Sequence, residues 1–139
     1  MTRINLVPVE ELADQHLIAE YRELPRCIKQ KINTEEAPKR YCLGQGHMKW
    51  ARNHSKFLLE RYGLILKEMR YRGFSPKFNF KELEKEFFEN VEMNNRKDYF
   101  PDEKDCHLSR SRIFEKILLK PEFYSWTKRE IPEWVFKGV

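Results

Sequence analysis

Large and apolar side chains recur at steps of three and four residues between His47 and Arg72, and this spacing is typical of a helix. The recurring positions are Trp50, His54, Phe57, Leu58, Arg61, Ile65 and Met69. Gly73 follows as a C-terminal stop, because glycine readily adopts the left-handed conformation that commonly ends a helix. No segment alternates convincingly with the period of two that a half-buried strand requires. The sequence therefore predicts one long helix over 47–72 and an all-α fold.

Three further segments show helical spacing. The segment from Val9 to Leu24 follows Pro8, and we expect it to end at Pro25, because a proline ring removes an amide donor and biases the preceding residue away from helical geometry. A short helix is expected over about 80–89. Another substantial helix is expected to begin at about 103 or 108 and to end at about 119.

The remaining segments predict irregular connections. Residues 29–42 are polar and basic and contain Pro38, residues 94–101 form a polar connection, and residues 122–139 mix aromatic residues with proline. The chain has 139 residues, which is enough to bury a substantial core. We therefore expect one compact domain over 1–139, with three main helices, irregular connections and a packed, aromatic-rich C-terminal tail.

Composition limits the class of protein. The 27 basic and 22 acidic residues give a net charge of +5, which suits a polyanionic partner but, taken alone, fits an ordinary mixed-charge surface better. The cysteines Cys27, Cys42 and Cys106 are odd in number and widely spaced, which indicates neither a disulfide framework nor a zinc module. The sequence shows no apolar run of membrane-spanning length and no signal-peptide core, so we expect a cytoplasmic protein.

Two clusters of charged residues are candidates for a functional site. Arg22 and Arg26 lie four residues apart with Glu23 between them, although on spacing alone a solvated helix end with ordinary ion pairs is the better explanation. Arg112 and Lys116 lie one helical turn apart in a second basic stripe. For that stripe, a solvated helix face and a phosphate-binding surface are equally good explanations.

The histidines give no sign of a metal site. His16 lies on the first predicted helix, where a lone histidine is usually a packing or hydrogen-bonding residue, so we consider it only as a support for a site or as a phosphate contact. His47, His54 and His107 have no partners at metal-ligand spacing. We therefore expect no metal site.

The first 26 residues, MTRINLVPVEELADQHLIAEYRELPR, resemble the start of the phage-type endonuclease V family. These are pyrimidine-dimer DNA glycosylases with abasic-site lyase activity. Shorter similarities recur in the family's order, at Leu43-Gly44-Gln45-Gly46-His47, Arg72-Gly73-Phe74, Asp98-Tyr99-Phe100-Pro101 and Arg112-Ile113-Phe114-Glu115-Lys116-Ile117 followed by Pro121. Residues 27–41 and about 76–96 match nothing in the family, and the aromatic residues at 123–126 depart from its order.

The resemblance implies a catalytic role for Thr2 and Glu23. In the family, the α-amine of the second residue attacks C1′ of the damaged nucleotide, and an essential carboxylate falls on the position of Glu23. Because the amine is itself the reactive group that a cofactor would otherwise supply, the resemblance implies neither a metal nor an organic cofactor. A small second residue normally allows removal of Met1, which leaves a free amine on Thr2. Such an amine titrates at about pH 8, whereas a lysine side chain titrates above about pH 10, so far more of the α-amine is neutral and nucleophilic near neutrality.

The resemblance also implies the DNA contacts. They fall on Arg3, Arg22, Arg26, Arg112 and Lys116. The expected substrate is double-stranded DNA containing pyrimidine dimers or abasic sites, and the expected enzyme is a monomer that first cleaves the glycosidic bond and then breaks the strand by β-elimination. Two alternatives stay open at this point: an enzyme of the same chemistry with another lesion preference, and a non-catalytic DNA-binding module of the same fold.

Overall fold

The computed structural model describes residues 4–139, and every regular element in that range is helical. The α-helices of this range are α1 (Asp14–Lys29), α2 (His47–Asn53), α3 (Ser55–Tyr71), α4 (Phe80–Asn90), α5 (Glu103–Leu119) and α6 (Glu133–Lys137). Three-residue 3₁₀ turns lie at Val9–Glu11, Met93–Asn95 and Pro121–Phe123. The all-α prediction is confirmed. Within 4–139, no helix combines the length and the apolar character that a membrane crossing needs.

The core lies where α1, α3 and α4 pack against one another. Its fully buried side chains include Leu17, Leu24 and Ile28 of α1, Leu58 and Ile65 of α3, and Leu83 of α4. Burying one side chain of this size stabilises the fold by roughly 1.5–3 kcal/mol. The non-helical residues 4–7 enter the same core, and Ile4, Leu6 and Val7 are each exposed by 5 % or less. The beginning of the described chain is therefore an internal part of the fold.

The first helix differs from its prediction at both ends. The predicted helix from Val9 to Leu24 is replaced by a 3₁₀ turn at Val9–Glu11, two extended residues, and then α1, which begins at Asp14. Pro25 does not end α1, which continues to Lys29. An interior proline costs a helix about 3 kcal/mol. That cost is outweighed because the last turns bury Leu24, Pro25, Cys27 and Ile28 in the core.

The predicted helix over 47–72 is interrupted at His54. The backbone of His54 leaves helical geometry, with φ −111° and ψ 44°, and separates α2 from α3. The amide groups freed by this break find other partners: Lys97 donates its N–H to the carbonyl of Asn53, and Phe57 donates to the carbonyl of Lys97. The Ser55 hydroxyl donates to the carbonyl of Arg52 at 2.6 Å. The interruption is therefore stabilised by chain segments that are distant in sequence.

The other helix predictions agree with the structure. Gly73 has φ +92° and follows the end of α3, as expected for a glycine stop. The predicted helix over 80–89 is α4. The earlier of the two predicted starts for α5 is correct, because Asp102 and Asp105 each accept a hydrogen bond from the other's backbone N–H in a capping box.

Residues of the C-terminal tail pack against the start of α1. Asp14 accepts hydrogen bonds from the Ser125 hydroxyl at 2.8 Å, from the Thr127 hydroxyl at 2.6 Å and from the Thr127 amide at 3.1 Å. Farther along the tail, Arg129 pairs with Glu68 of α3 at 2.8 Å. Arg72 joins these two contacts, because it pairs with Asp14 at 2.9 Å and with Glu68 at 2.8 Å. We call the charged residues Asp14, Glu68, Arg72 and Arg129 the tail network.

Two tryptophans of the tail add to this contact. Trp126 and Trp134 are only partly buried. Each donates its indole N–H to Glu11: Trp126 to the backbone carbonyl at 3.0 Å, and Trp134 to the carboxylate at 2.6 Å. Their position is explained by this need for an acceptor, which a fully apolar core does not offer.

Candidate active site

Glu23 lies on α1 with its carboxylate accessible to solvent. Its side chain is 26 % exposed, and the guanidinium of Arg26 reaches it across one helical turn at 3.5 Å. Arg22, the neighbouring residue, is exposed and forms no ion pair with any residue of 4–139. Glu23 and Arg26 therefore form the ion pair that their helical spacing predicts. The arrangement leaves one arginine free to contact an anion and offers a carboxylate to a ligand.

Residues 4–7 are held one turn of α1 away from Glu23. Glu20 is fully buried and accepts a hydrogen bond from the side-chain amide of Asn5 at 3.0 Å. It also forms a buried ion pair with Arg61 of α3, whose guanidinium donates to the carbonyl of Val7 at 3.0 Å. Glu20 and Arg61 thereby attach both Asn5 and Val7 to the helices that build the core.

Other elements hold the remaining backbone of this segment. The Ile4 amide donates to Nε2 of His47 at 3.0 Å, and the Ile4 carbonyl accepts from the Tyr41 hydroxyl at 2.6 Å. The amide of Leu6 donates to the hydroxyl of Ser109 on α5 at 2.9 Å. We call the five side chains that hold residues 4–7 the N-terminal clamp; they are Glu20, Tyr41, His47, Arg61 and Ser109.

Cys27 lies beside Glu23 but is not suited to act as a nucleophile. Its thiol is buried and contacts the carbonyl of Glu23 at 3.9 Å and the sulfur of Met48 at 4.0 Å. Burial, together with the negative charges of Glu23 and Glu20, raises the pKa of this thiol to about 12. The thiolate form that reacts is therefore scarce at neutral pH.

His16 joins the two predicted basic clusters. Its ring stacks on Tyr124 at a centroid distance of 4.8 Å, in a groove of about 420 Å³ that Arg22 also lines. Burial, with the positive charges of Arg112 and Lys116 on α5, lowers the pKa of His16 to about 4. The imidazole is therefore neutral at physiological pH. Arg22 lines the same groove, and the charges of Arg112 and Lys116 are close enough to affect the ring. Thr2 and Arg3, the other two predicted site residues, lie outside the described residues.

A family model of pyrimidine dimer DNA glycosylases matches residues 1–82, which is more than half of the chain. The chain belongs to this family. Its function is accordingly DNA repair by excision of pyrimidine dimers, and its substrate is DNA that contains them. The family membership that the sequence resemblance predicted is confirmed. The matched range contains Glu23 and all of the N-terminal clamp except Ser109, whereas Arg112, Lys116 and the aromatic tail lie beyond it.

The clamp residues of this enzyme were not identified as functional residues from the sequence. Arg61 appeared only as one of the periodic positions of a helix. His47 appeared only in a short stretch of family similarity and as a histidine without partners at metal-ligand spacing. A signal was present in each case. Arg61 is a charged residue at a core-facing position, and a buried charge needs a partner. His47 directly follows two closely spaced glycines, which indicate a tight turn with a defined backbone geometry. Glu20 and Ser109 carried no such signal, because their partners are brought near them only by the fold.

Two other regions do not contribute to this site. A groove of about 1180 Å³ runs between α5 and the chain's last residues and is lined by neither Glu23 nor His16 nor Arg112. Within the described part of the chain, no group of three histidine, cysteine, aspartate or glutamate side chains is placed to hold a metal ion. The candidate site is therefore the surface that joins Glu23, the groove at His16 and the basic stripe of α5.

Proposed function

We propose that the enzyme cleaves the glycosidic bond through an imine with the α-amine of Thr2 and then breaks the DNA strand. The amine nitrogen attacks C1′ of the 5′ pyrimidine of the dimer, and the base leaves with the electron pair of the C1′–N bond and takes up a proton. Opening of the sugar ring gives the imine. Loss of a C2′ proton then expels the 3′ phosphate by β-elimination, and water releases the amine. The same imine forms directly when the substrate is an abasic site.

The observation that carries this proposal is the N-terminal clamp beside α1. Thr2 precedes Ile4 by two residues, so its amine lies within about 7 Å of the Ile4 nitrogen by chain length alone. Ile4 is fixed by His47 and Tyr41. A nucleophile tied to a fixed segment loses little freedom when it reacts, which can supply several kcal/mol of the rate enhancement, up to about 7–11.

Glu23 has the properties that the proposed chemistry needs. Its carboxylate is partly exposed and lies on the same helix as Glu20 of the clamp. In the proposed reaction, it stabilises the positive charge that develops at C1′ as the base leaves. It then accepts and returns protons during ring opening and elimination.

The basic residues would hold the DNA backbone on either side of the lesion. We assign phosphate contacts to Arg3, Arg22, Arg26, Arg112 and Lys116. His16 is neutral at physiological pH, so in this proposal it contributes stacking and hydrogen bonding rather than charge. The monomer is the acting unit in this proposal.

One observation favours keeping a second candidate, an enzyme of the same chemistry with a different lesion preference. The aromatic segment 123–126 lies beyond the family match, and Tyr124 of that segment stacks on His16 in the candidate site. A measurement of excision rates on several defined lesions in one duplex sequence separates the two candidates. Fastest excision of a cyclobutane thymine dimer supports the first, and faster excision of another lesion supports the second.

The role of Glu23 is tested by Glu23→Gln in single-turnover excision of a thymine dimer. The substitution keeps the shape and removes the charge, so the rate should fall by about 10²–10³-fold with DNA affinity preserved. Glu60→Gln, which changes an exposed glutamate of α3, serves as the matched control and should leave the rate unchanged. Near-normal excision by Glu23→Gln would mean that the carboxylate is structural.

The DNA surface is tested by salt titration of the alanine variants of Arg22, Arg26, Arg112 and Lys116. Each true phosphate contact that is removed should lower the slope of log affinity against log salt by about one. Lys81→Ala, at an exposed lysine of α4 outside the proposed set, is the control. If all four variants keep the slope of the unmodified enzyme, the DNA surface lies elsewhere.

A further inference from the structure

Both ring nitrogens of His47 have defined roles. Nδ1 lies 2.7 Å from the carbonyl oxygen of Cys42, and Nε2 lies 3.0 Å from the amide nitrogen of Ile4. A carbonyl oxygen only accepts, so Nδ1 must carry the hydrogen; an amide N–H only donates, so Nε2 must offer its lone pair. The partners therefore select the neutral tautomer that is protonated at Nδ1. His47 is 1 % exposed, which shields this pair of hydrogen bonds from water.

The turn before His47 fixes the ring. Gly44 has φ +71° and Gly46 has φ +92°, which L side chains rarely adopt. A Cβ on Gly46 would also approach Cγ of Pro38 to 3.1 Å. The turn places the Cys42 carbonyl below Nδ1, while Trp50 stacks beside the ring at a centroid distance of 6.0 Å. The direction of the Nε2 lone pair is therefore set by backbone geometry and packing.

The same short unit also holds the other backbone group of Ile4. The Tyr41 hydroxyl donates to the Ile4 carbonyl at 2.6 Å. Burial raises the pKa of Tyr41 to about 12, so the hydroxyl keeps its proton at neutral pH. Ile4 lies outside any helix and has no backbone partner of its own within the described chain, so these two side chains take the place of a hydrogen-bonded ladder.

We propose that His47 is a positioning residue for the N-terminal amine: its Nε2 lone pair fixes the Ile4 amide and so determines where the amine of Thr2 meets C1′. This inference rests on the proposed imine chemistry. His47 acts through the backbone and is not a catalytic residue. A displacement of the amine by about 1 Å would slow imine formation on the order of 10²-fold. DNA affinity would change little, because four of the five assigned phosphate contacts, Arg22, Arg26, Arg112 and Lys116, lie on α1 and α5 and not on the displaced segment.

The test compares His47→Gln and His47→Leu. Glutamine carries an amide oxygen near the position of Nε2 and can accept from Ile4, whereas leucine keeps most of the bulk and offers no acceptor. The rate of borohydride-trapped imine on a duplex with a single abasic site should fall about 10²-fold in His47→Leu. It should be largely restored in His47→Gln, with DNA affinity close to that of the unmodified enzyme in both variants.

Two further measurements keep the test decisive if His47→Leu does not fold. Tyr41→Phe removes only the hydroxyl that holds the Ile4 carbonyl, and it should also slow trapping, by a smaller factor than His47→Leu. Nitrogen-15 NMR of the histidine rings should show His47 protonated at Nδ1. A ring protonated at Nε2, or at both nitrogens at neutral pH, overturns the proposal.

The outcomes separate this inference from the proposed function. If the unmodified enzyme forms no trapped adduct through Thr2, the proposed function itself fails. If that adduct forms but folded His47→Leu and Tyr41→Phe trap DNA at the unmodified rate, only the positioning role is overturned. Equal losses in His47→Gln and His47→Leu also overturn it, because the ring's bulk rather than its acceptor would then matter.

Discussion

Two terminal segments lie on the same helical framework, but different chemistry holds each of them. Residues 4–7 are held by the N-terminal clamp, in which Tyr41, His47 and Ser109 act as neutral hydrogen-bonding groups and the one ion pair, Glu20 with Arg61, is buried. The C-terminal tail is held by the tail network, in which carboxylates and guanidinium groups make most of the contacts. Arg129 of that network is 30 % exposed.

The two attachments should respond differently to salt and to pH. A buried, mostly neutral set of contacts is not weakened by salt, and losing one partner leaves an uncompensated polar group inside the protein. The tail network depends on two buried carboxylates, Asp14 and Glu68, and protonation of these groups can release its contacts. We infer that the segment leading to the proposed nucleophile is held rigidly. The tail that carries Tyr124 is held by contacts that acid can release.

Removing the charge inside the N-terminal clamp should have the largest effect on stability. Glu20→Gln leaves the guanidinium of Arg61 buried without its partner, which should lower the free energy of unfolding by about 3–5 kcal/mol. Urea denaturation measures the loss. Glu60→Gln, at an exposed position, should change it by less than about 0.5 kcal/mol. If the two variants were equally stable, the clamp would not contribute to the fold.

A smaller effect is expected at the tail network. Asp14→Asn replaces the charged acceptor of Ser125, Thr127 and Arg72 and should cost about 2 kcal/mol. The tail should become more sensitive to limited proteolysis around 124–129, while residues 4–7 stay protected. Glu130→Gln, at an exposed position in the tail itself, is the control. If Asp14→Asn made residues 4–7 and the tail equally sensitive to proteolysis, the two segments would not be held independently.

Acid should weaken the tail network reversibly. Burial alone would raise the pKa of Asp14, but hydrogen bonds from Thr127, Arg72 and Ser125 outweigh it and hold the pKa below its ordinary value of 3.8. Burial of Glu68 is likewise outweighed by Arg129 and Arg72, which hold its pKa below 4.5. Both carboxylates therefore bind fewer protons in the folded state than in the unfolded state, and their stabilisation is lost as the pH falls.

The stabilisation should be complete above the ordinary carboxyl range and should disappear only as the pH falls below it. The stability difference between the unmodified enzyme and Asp14→Asn should consequently be constant from pH 7 to pH 5 and should shrink below about pH 4. Urea denaturation at several pH values measures this difference. A difference that stays constant down to pH 3 would mean that Asp14 does not act as a charged acceptor.

Local rules predicted some elements well because the deciding residues lie close together in the sequence. The start of α5 depends on Asp102 and Asp105, and the end of α3 on Gly73; both signals are local. The end of α1 was mispredicted because the proline rule is also local, whereas burial of Ile28 is a property of the whole fold. The break at His54 depends on residues 96–97, which no local pattern connects to it.

The candidate site divides in the same way. Glu23 and Arg26 are one turn apart, so their pairing follows from helical spacing, and their proposed role follows from the family resemblance. The clamp assembles residues from α1, α2, α3, α5 and a loop, with sequence separations as large as 103 between Leu6 and Ser109. Only the fold brings these residues together. For this reason the sequence indicated the reactive groups but not the side chains that hold the segment leading to the amine.

The most direct test of the central claim is borohydride trapping on an oligonucleotide duplex with a single thymine dimer, followed by mass spectrometry of the cross-linked peptide. The claim is that the clamp presents the amine of Thr2 to the damaged nucleotide. It predicts one adduct, on the α-amine of Thr2, and no adduct when Met1 is retained or the amine is acetylated. An adduct on a lysine side chain, or none from protein with a free Thr2 amine, would contradict the claim.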